Sequence, residues 1–173
     1  MRSTMLLVSI FSFAFLSNPT TSSAEESKQK TTEQVQMDIS GIGFDQMAQT
    51  PVVILLDKQR EKVLPIWIGL CEARAIEISL SGEVTPRPFT YDLVAAIIRT
   101  MKAKIERVVI VDLRDQVFYA QVEVSVNGNT LKIDARPSDA LALASRMNAP
   151  VFVRSSVLEN AATIESKVEK KGT

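Results

Sequence analysis

The sequence contains no histidine, one cysteine (Cys71) and one tryptophan (Trp67). The lack of histidine excludes the commonest general base, serine–histidine triads and histidine-based metal sites. A single cysteine forms no internal disulfide, so the fold must depend on its core. The 20 basic residues are matched by 20 acidic ones, so the strongly basic surface typical of many nucleic-acid-binding proteins is absent. Any chemistry must therefore use carboxylates, hydroxyls, arginine, lysine or backbone groups.

The N-terminal 24 residues resemble a secretory signal peptide. Arg2 precedes an apolar run of about a dozen residues, from Met5 to Leu16, whereas a membrane-spanning helix needs roughly 20. Small residues at Ser22 and Ala24 predict cleavage after Ala24. The alternatives are an uncleaved membrane anchor or a buried N-terminal helix. Export predicts a periplasmic or secreted protein that has no stable membrane span after cleavage.

The whole chain has 173 residues, and the part after the signal peptide predicts a single folded domain with polar ends. Residues 25–34 lack apolar side chains and predict a disordered linker, residues 35–161 the domain, and residues 162–173 a polar C-terminal tail. Cleavage removes Arg2 and no acidic residue, so the mature charge balance is 19 basic minus 20 acidic residues, or −1.

Hydrophobic periodicity predicts an α+β fold in which about three helices pack on a largely antiparallel sheet. The predicted order is three strands, two helices, three strands, one helix and one short strand. Residues 51–56 form an apolar run that predicts a strand buried on both faces, and Asn127-Gly128 predicts a tight hairpin. Cys71 falls in an apolar helical segment, which predicts a buried, unreactive thiol. Trp67 ends an apolar strand, which favours the core or a subunit interface over a platform for stacking bases.

Two predicted helices begin with similar segments, each containing Arg-Pro, a hydroxyl residue and Asp. The segments are Arg87-Pro88-Phe89-Thr90-Tyr91-Asp92 and Arg136-Pro137-Ser138-Asp139. Proline at a helix start, a hydroxyl near the cap and an acid in the first turn are ordinary helix-initiation chemistry. The arginines allow a second interpretation, because free helix N–H groups beside a guanidinium can bind phosphate.

Carboxylates near these helix starts also offer oxygen ligands for a divalent metal. The candidates are Asp92, Asp134, Asp139 and Glu72. Without histidine, phosphodiester hydrolysis at such a site would rely on Mg²⁺ or Mn²⁺ to activate water. Equally, Arg87 could pair with Asp139, or Arg136 with Asp92, as a structural cross-brace.

Several segments together resemble the bifunctional nuclease domain family over roughly residues 35–161. They are residues 51–55, 64–69, 72–73, 87–93, 118–120 and 133–140. The resemblance implies an α+β fold, a homo-oligomer and activity on both RNA and DNA. Family members commonly carry His where this chain has Tyr91, and a tyrosine with a pKa near 10 is a poor base at neutral pH.

These observations lead to two hypotheses of different classes. The first is an exported nuclease that hydrolyses RNA or DNA, with Mg²⁺ or Mn²⁺ as its candidate cofactor. Its catalytic residues would be Asp134, Asp139 and Asp92, its substrate-binding residues Arg87, Arg136, Ser138 and Thr90, and its metal ligands Asp134, Asp139 and Glu72. The second is a non-catalytic oligomeric binding or scaffolding module of the periplasm, in which the two helix openings are structural caps and ion pairs.

Overall fold

The computed structural model describes residues 33–161, so the predicted signal peptide, most of the linker and the C-terminal tail lie outside the described residues. Seven strands and four helices make up the described range. They are β1 (Gln34–Asp45), β2 (Thr50–Asp57), β3 (Val63–Trp67), α1 (Leu70–Ser81), α2 (Thr90–Thr100), β4 (Lys104–Arg114), β5 (Val117–Val126), β6 (Asn129–Ala135), α3 (Pro137–Met147), β7 (Val151–Arg154) and α4 (155–161).

The seven strands form one sheet in the order β3-β2-β1-β7-β4-β5-β6. Neighbouring strands run antiparallel except β7 and β4, which are parallel. The α+β class and the largely antiparallel sheet are confirmed, and the number of helices is close to that predicted, with α4 in addition. The short β7 lies at the centre of the sheet and joins the β1–β2–β3 meander to the β4–β5–β6 meander.

Alternating burial along β2 shows that helices cover one face of the sheet. Pro51, Val53 and Leu55 are buried, whereas Val52 and Ile54 between them are only partly buried. The expectation that this strand is buried on both faces is therefore wrong: it has the period of two expected of a sheet with one covered face.

Helix α1 buries only part of the apolar row that its helical spacing predicts, which is Leu70, Ala73, Ile76 and Leu80. Ala73, Ile76 and Ile78 are buried, whereas Leu70 is largely exposed. Cys71 is exposed as well, so the prediction of a buried thiol is wrong. Gly69 is the N-cap of α1 and the helix starts at Leu70, so residues 70 and 71 lie in its first turn. The buried residues begin at Ala73.

The face of the sheet opposite the helices carries a buried carboxylate that the sequence pattern did not identify. Glu123 alternates with apolar residues along β5, which predicts solvent exposure, yet only 6% of it is exposed. Arg107 on β4 covers it, with an Nε–Oε2 distance of 2.7 Å and an Nη2–Oε1 distance of 3.2 Å. The guanidinium also lies 5.6 Å from the ring centroid of Phe152. The side chains of this pair thus join three adjacent strands.

The hairpin predicted at Asn127-Gly128 joins β5 to β6, and both residues have positive φ angles of 50° and 81°. These angles match the two-residue turn that a twisted hairpin favours. The turn delivers β6 to the edge of the sheet, directly before Arg136 and α3. Among residues 33–161, the helices are too short and too polar to cross a bilayer.

Candidate functional site

The two similar helix openings place their acidic residue at the same helical position, but the two acidic side chains form different hydrogen bonds. Asp92 and Asp139 both occupy the third helical position, but the cap residues are Phe89 and Arg136 rather than Thr90 and Ser138. Asp92 accepts a hydrogen bond from the Phe89 N–H at 2.8 Å, which is half of a capping box. Asp139 instead turns toward the side chains of neighbouring helices.

Asp139 is the centre of a polar cluster that links helices α1, α2 and α3. Its Oδ1 accepts from the Tyr91 hydroxyl at 2.7 Å and from Arg136 Nη2 at 2.9 Å, and its Oδ2 accepts from Arg136 Nε at 2.7 Å. Arg136 Nη2 also donates to Glu72 Oε1 at 3.0 Å. The cluster therefore connects α1 through Glu72, α2 through Tyr91, and α3 through Asp139.

Electrostatics fix the charge states in this cluster. The Arg136 guanidinium lowers the pKa of Asp139 below its usual range, with a smaller contribution from the Tyr91 hydrogen bond. Burial raises the pKa of Tyr91, and its bond to the Asp139 carboxylate raises it further. Tyr91 is thus a neutral donor at neutral pH and Asp139 a charged acceptor. Tyr91 thus links α2 to α3 as a neutral hydrogen-bond donor and does not act as a base.

A groove of about 480 Å³ opens beside Arg136. It is lined by the start of α3, the end of β3 with the following Gly69, and the β4–β5 turn. The lining residues are Thr50, Ile66, Trp67, Ile68, Gly69, Gln116, Val117, Phe118, Arg136, Pro137 and Ser138. Half of Trp67 is exposed, so it does not lie in the core, and the alternative of a subunit interface stays a prediction. Its indole N–H donates to Asp45 Oδ2 at 2.9 Å, which orients the ring at the groove.

Two helix N-termini meet at this groove. Gly69 caps α1 and Arg136 caps α3, both residues line the groove, and within residues 33–161 no side-chain hydrogen bond caps the first-turn N–H groups of either helix. Such groups carry the positive end of the helix dipole and favour anions. Arg136 adds a guanidinium whose Nη1 group hydrogen-bonds to no atom of residues 33–161. The N–H groups and the Arg136 guanidinium thus lie together at the groove, next to the carboxylates of Glu72 and Asp139.

Glu72 lies over the start of its own helix, and the absence of a side chain at Gly69 permits this. A Cβ atom at position 69 would overlap the Glu72 Oε2 atom far inside van der Waals contact. Glu72 Oε1 is held by Arg136, while Oε2 forms no hydrogen bond with the described part of the chain. Glu72 is therefore the carboxylate next to the groove that keeps one oxygen available.

The other predicted site residues lie apart from this cluster. Asp92 forms an ion pair with Arg146, so the predicted pairing of Arg136 with Asp92 does not occur. Arg87 is exposed in the α1–α2 loop, and the side chain of Asp139 is bound by Arg136 rather than by Arg87. Asp134 is exposed on the edge strand β6. Ser138 lines the groove, whereas Thr90 is exposed at the start of α2.

The proposed metal ligands do not form a common site. Within residues 33–161, no three carboxylate or thiol groups are close enough to hold one metal ion. Both Asp139 oxygens are already hydrogen-bonded, and Asp134 and Asp92 lie in separate environments. The set Asp134, Asp139 and Glu72 therefore does not fit a metal centre within one chain, and we derive no step through a metal.

Comparison with known proteins adds evidence independent of this geometry. Residues 53–166 match the family model described as the bifunctional nuclease domain. The uncharacterized proteins MT1877 and Rv1829, from two strains of Mycobacterium tuberculosis, are each 38% identical over 123 residues. These alignments cover 71% of this chain and 73% of each relative. The matched region extends from β2 through α4 and contains the cluster and most of the groove.

Proposed function

This chain belongs to the bifunctional nuclease domain family, and from that premise we propose that it binds and hydrolyses the phosphodiester backbone of RNA or DNA. The observation that supports a site for this activity is the groove beside Arg136. It joins an exposed indole, an arginine and two uncapped helix N-termini within a volume typical of ligand sites.

Each wall of the groove suits a different part of a nucleic-acid strand. A base can stack on the exposed face of Trp67, and such stacking tolerates any base because every base has a π face. The phosphate would then meet Arg136 Nη1 and the N–H groups of Ser138 and Asp139 in the first turn of α3. This arrangement recognises a single strand chiefly by its backbone and by stacking.

The same residues supply a hydrolytic step. A water molecule attacks phosphorus and transfers its proton to Glu72 Oε2, while the leaving oxygen departs and takes a proton from solvent. Arg136 stabilises the negative charge that develops on the phosphoryl oxygens. Asp139 does not act as the base in this scheme, because its oxygens hold Tyr91 and Arg136. Its role is to position the guanidinium.

Cleavage of labelled single- and double-stranded RNA and DNA tests the proposal, with Mg²⁺, with Mn²⁺ and with a chelator. Arg136→Ala and Glu72→Gln should each lower cleavage by at least about tenfold, since each removes one transition-state interaction. Arg87→Ala is the matched control, because it removes an exposed arginine next to a similar helix start outside the groove. If Arg136→Ala and Glu72→Gln cleave as fast as Arg87→Ala and the wild type, the assignment of the site is contradicted.

One observation favours the second candidate, a non-catalytic oligomeric binding or scaffolding module. Arg136 is already paired with two carboxylates, so the cluster carries a net charge of −1 and works as a brace between helices. In that case oligonucleotides bind weakly or not at all, none is cleaved under any metal condition, and Arg136→Ala lowers stability without another effect.

We further propose that the protein is exported to the periplasm or secreted and functions as a homo-oligomer. The apolar run at residues 5–16 and the small residues before position 25 support export. N-terminal sequencing of the protein from an extracytoplasmic fraction should begin at Glu25. Recovery from the cytoplasm with Met1 intact would contradict export and leave the groove chemistry untouched.

A further inference from the structure

Helix α2 carries a stripe of large apolar side chains on its outer surface. Phe89, Leu93, Ile97 and Met101 follow one another at intervals of four residues and are 48%, 58%, 49% and 64% exposed. Residues four apart lie on one face of a helix, so these side chains form a continuous row from the N-cap to the C-cap. We call this row the α2 stripe.

The α2 stripe remains exposed because α2 has little support from the rest of the fold. Ala95 is its only buried residue, and the helix packs mainly against α3 rather than against the sheet. A surface helix normally turns its apolar side chains toward the core. Here the inner side carries Ala95 and the partly buried Ile98, and the larger apolar set faces outward.

The outward surface of α2 also lacks charge. At 100° per residue, Thr90, Ala96 and Thr100 lie on the same side as Leu93 and Ile97. The Thr100 hydroxyl donates to the Ala96 carbonyl at 2.8 Å, so this polar group is satisfied within the helix. Charged residues are depleted at the centre of protein interfaces, and this surface has that composition.

We propose that the α2 stripe is the contact surface for a second copy of this chain, with the two α2 helices packed antiparallel across a two-fold axis. An isologous contact places the same patch on both sides, so a charged surface would repel itself whereas an uncharged one does not. The small Ala96 and Thr100 side chains allow close approach of the helices. Rows at intervals of four residues interlock in the packing class that is commonest in globular proteins.

The exposed area agrees with this assignment. Four large side chains that are each about half exposed offer roughly 400 Å² of apolar surface, as much as the largest patch on a typical monomer. A standard interface buries about 800 Å² per partner, of which the apolar centre is only part. The α2 stripe therefore supplies the apolar centre of the interface in the homo-oligomer of the proposed function, and the inference rests on that part of the proposed function alone.

Analytical ultracentrifugation of the purified protein in reductant, over a range of concentrations, tests the surface. The wild-type protein should associate, and Leu93→Asp or Ile97→Asp should raise the dissociation constant by at least about tenfold. Val63→Asp is the matched control, since Val63 is 56% exposed on β3 and belongs neither to the stripe nor to the groove lining. Thermal unfolding of each variant confirms that it is folded.

Cross-linking provides a second readout. In a Cys71→Ser background, Leu93→Cys or Ile97→Cys should form an intermolecular disulfide on oxidation, whereas Val63→Cys should not. A monomeric wild-type protein at high concentration would overturn both the oligomer and the surface. Association that persists in Leu93→Asp and Ile97→Asp would overturn the surface and leave the oligomer standing. Neither result bears on nucleic-acid cleavage.

Discussion

The bond between Tyr91 and Asp139 makes a quantitative prediction about stability. Asp139→Ala removes the charged acceptor of the Tyr91 hydroxyl, and Tyr91 is partly buried. Loss of a hydrogen bond to a charged group at such a site costs about 1.5–3 kcal/mol. The bonds from Arg136 add little, because that side chain is largely exposed and water screens the pair. We therefore expect Asp139→Ala to lower the free energy of unfolding by about 2 kcal/mol at pH 7.

The effect must depend on pH, because Arg136 lowers the pKa of Asp139 in the folded protein. In the unfolded chain the carboxyl titrates near 3.9. Between that value and the lower folded pKa, the unfolded state binds more protons, so stability falls as pH falls. The stabilising contribution is complete above about pH 5 and is lost as pH drops through the folded pKa.

Urea denaturation of four proteins measures this contribution: the wild type, Asp139→Ala, Tyr91→Phe and the double variant. The coupling energy of the cycle should be at least about 1 kcal/mol at pH 7 and smaller at pH 3. Tyr91→Phe keeps the ring and removes the hydroxyl, so it separates the bond from packing. Additive effects at pH 7, or a coupling that grows toward pH 3, would refute the reasoning.

Three further predictions concern neighbouring groups. Because Asp139 and burial raise the pKa of Tyr91, spectrophotometric titration should show one tyrosine ionising well above pH 10, and Tyr91→Phe should remove it; two ordinary titrations would contradict this. Arg107→Ala should lower the free energy of unfolding by about 3 kcal/mol in urea, since it leaves the buried Glu123 carboxylate without its closest partner, and a loss below about 1 kcal/mol would be inconsistent with the ion pair. Gly69→Ala should be less favourable in the wild type than in a Glu72→Ala background, where the overlap is absent; equal effects in both backgrounds would show that the carboxylate does not cover the helix start.

Much of the fold could be predicted from local sequence signals. The period of two along residues 118–126 and the Asn127-Gly128 turn predict β5 and its hairpin with β6, and both are present. The acidic residue in the first turn correctly marks the starts of α2 and α3. The central position of β7 was not predicted, because a four-residue strand carries no signal for which neighbours it pairs with.

The candidate site was predicted in part. Arg136, Asp139 and Glu72 were identified by residue type, and the structure brings them together. Asp92 is separated from them because Arg146, seven residues beyond Asp139 on α3, binds it. Sequence spacing within one helix does not reveal which side chain of another helix will face it.

The exposure of Trp67 and the burial of Glu123 were missed for a related reason. Apolar and polar periodicity predicts the face of a strand but not what covers that face. Trp67 ends an edge strand beside an open groove, and Arg107 on the neighbouring strand covers Glu123. Both outcomes depend on residues from other elements.

The central claim, that nucleic acid binds in the groove beside Arg136, is most directly tested by the fluorescence of Trp67. Because Trp67 is the only tryptophan and lies in the groove, its emission reports on occupation of the site. Titration with single-stranded RNA or DNA oligonucleotides should quench the emission saturably, and Arg136→Ala should weaken the binding at least about tenfold while Arg87→Ala should not. Oligonucleotide binding detected by anisotropy of a labelled strand, with no change in Trp67 emission, would contradict the account.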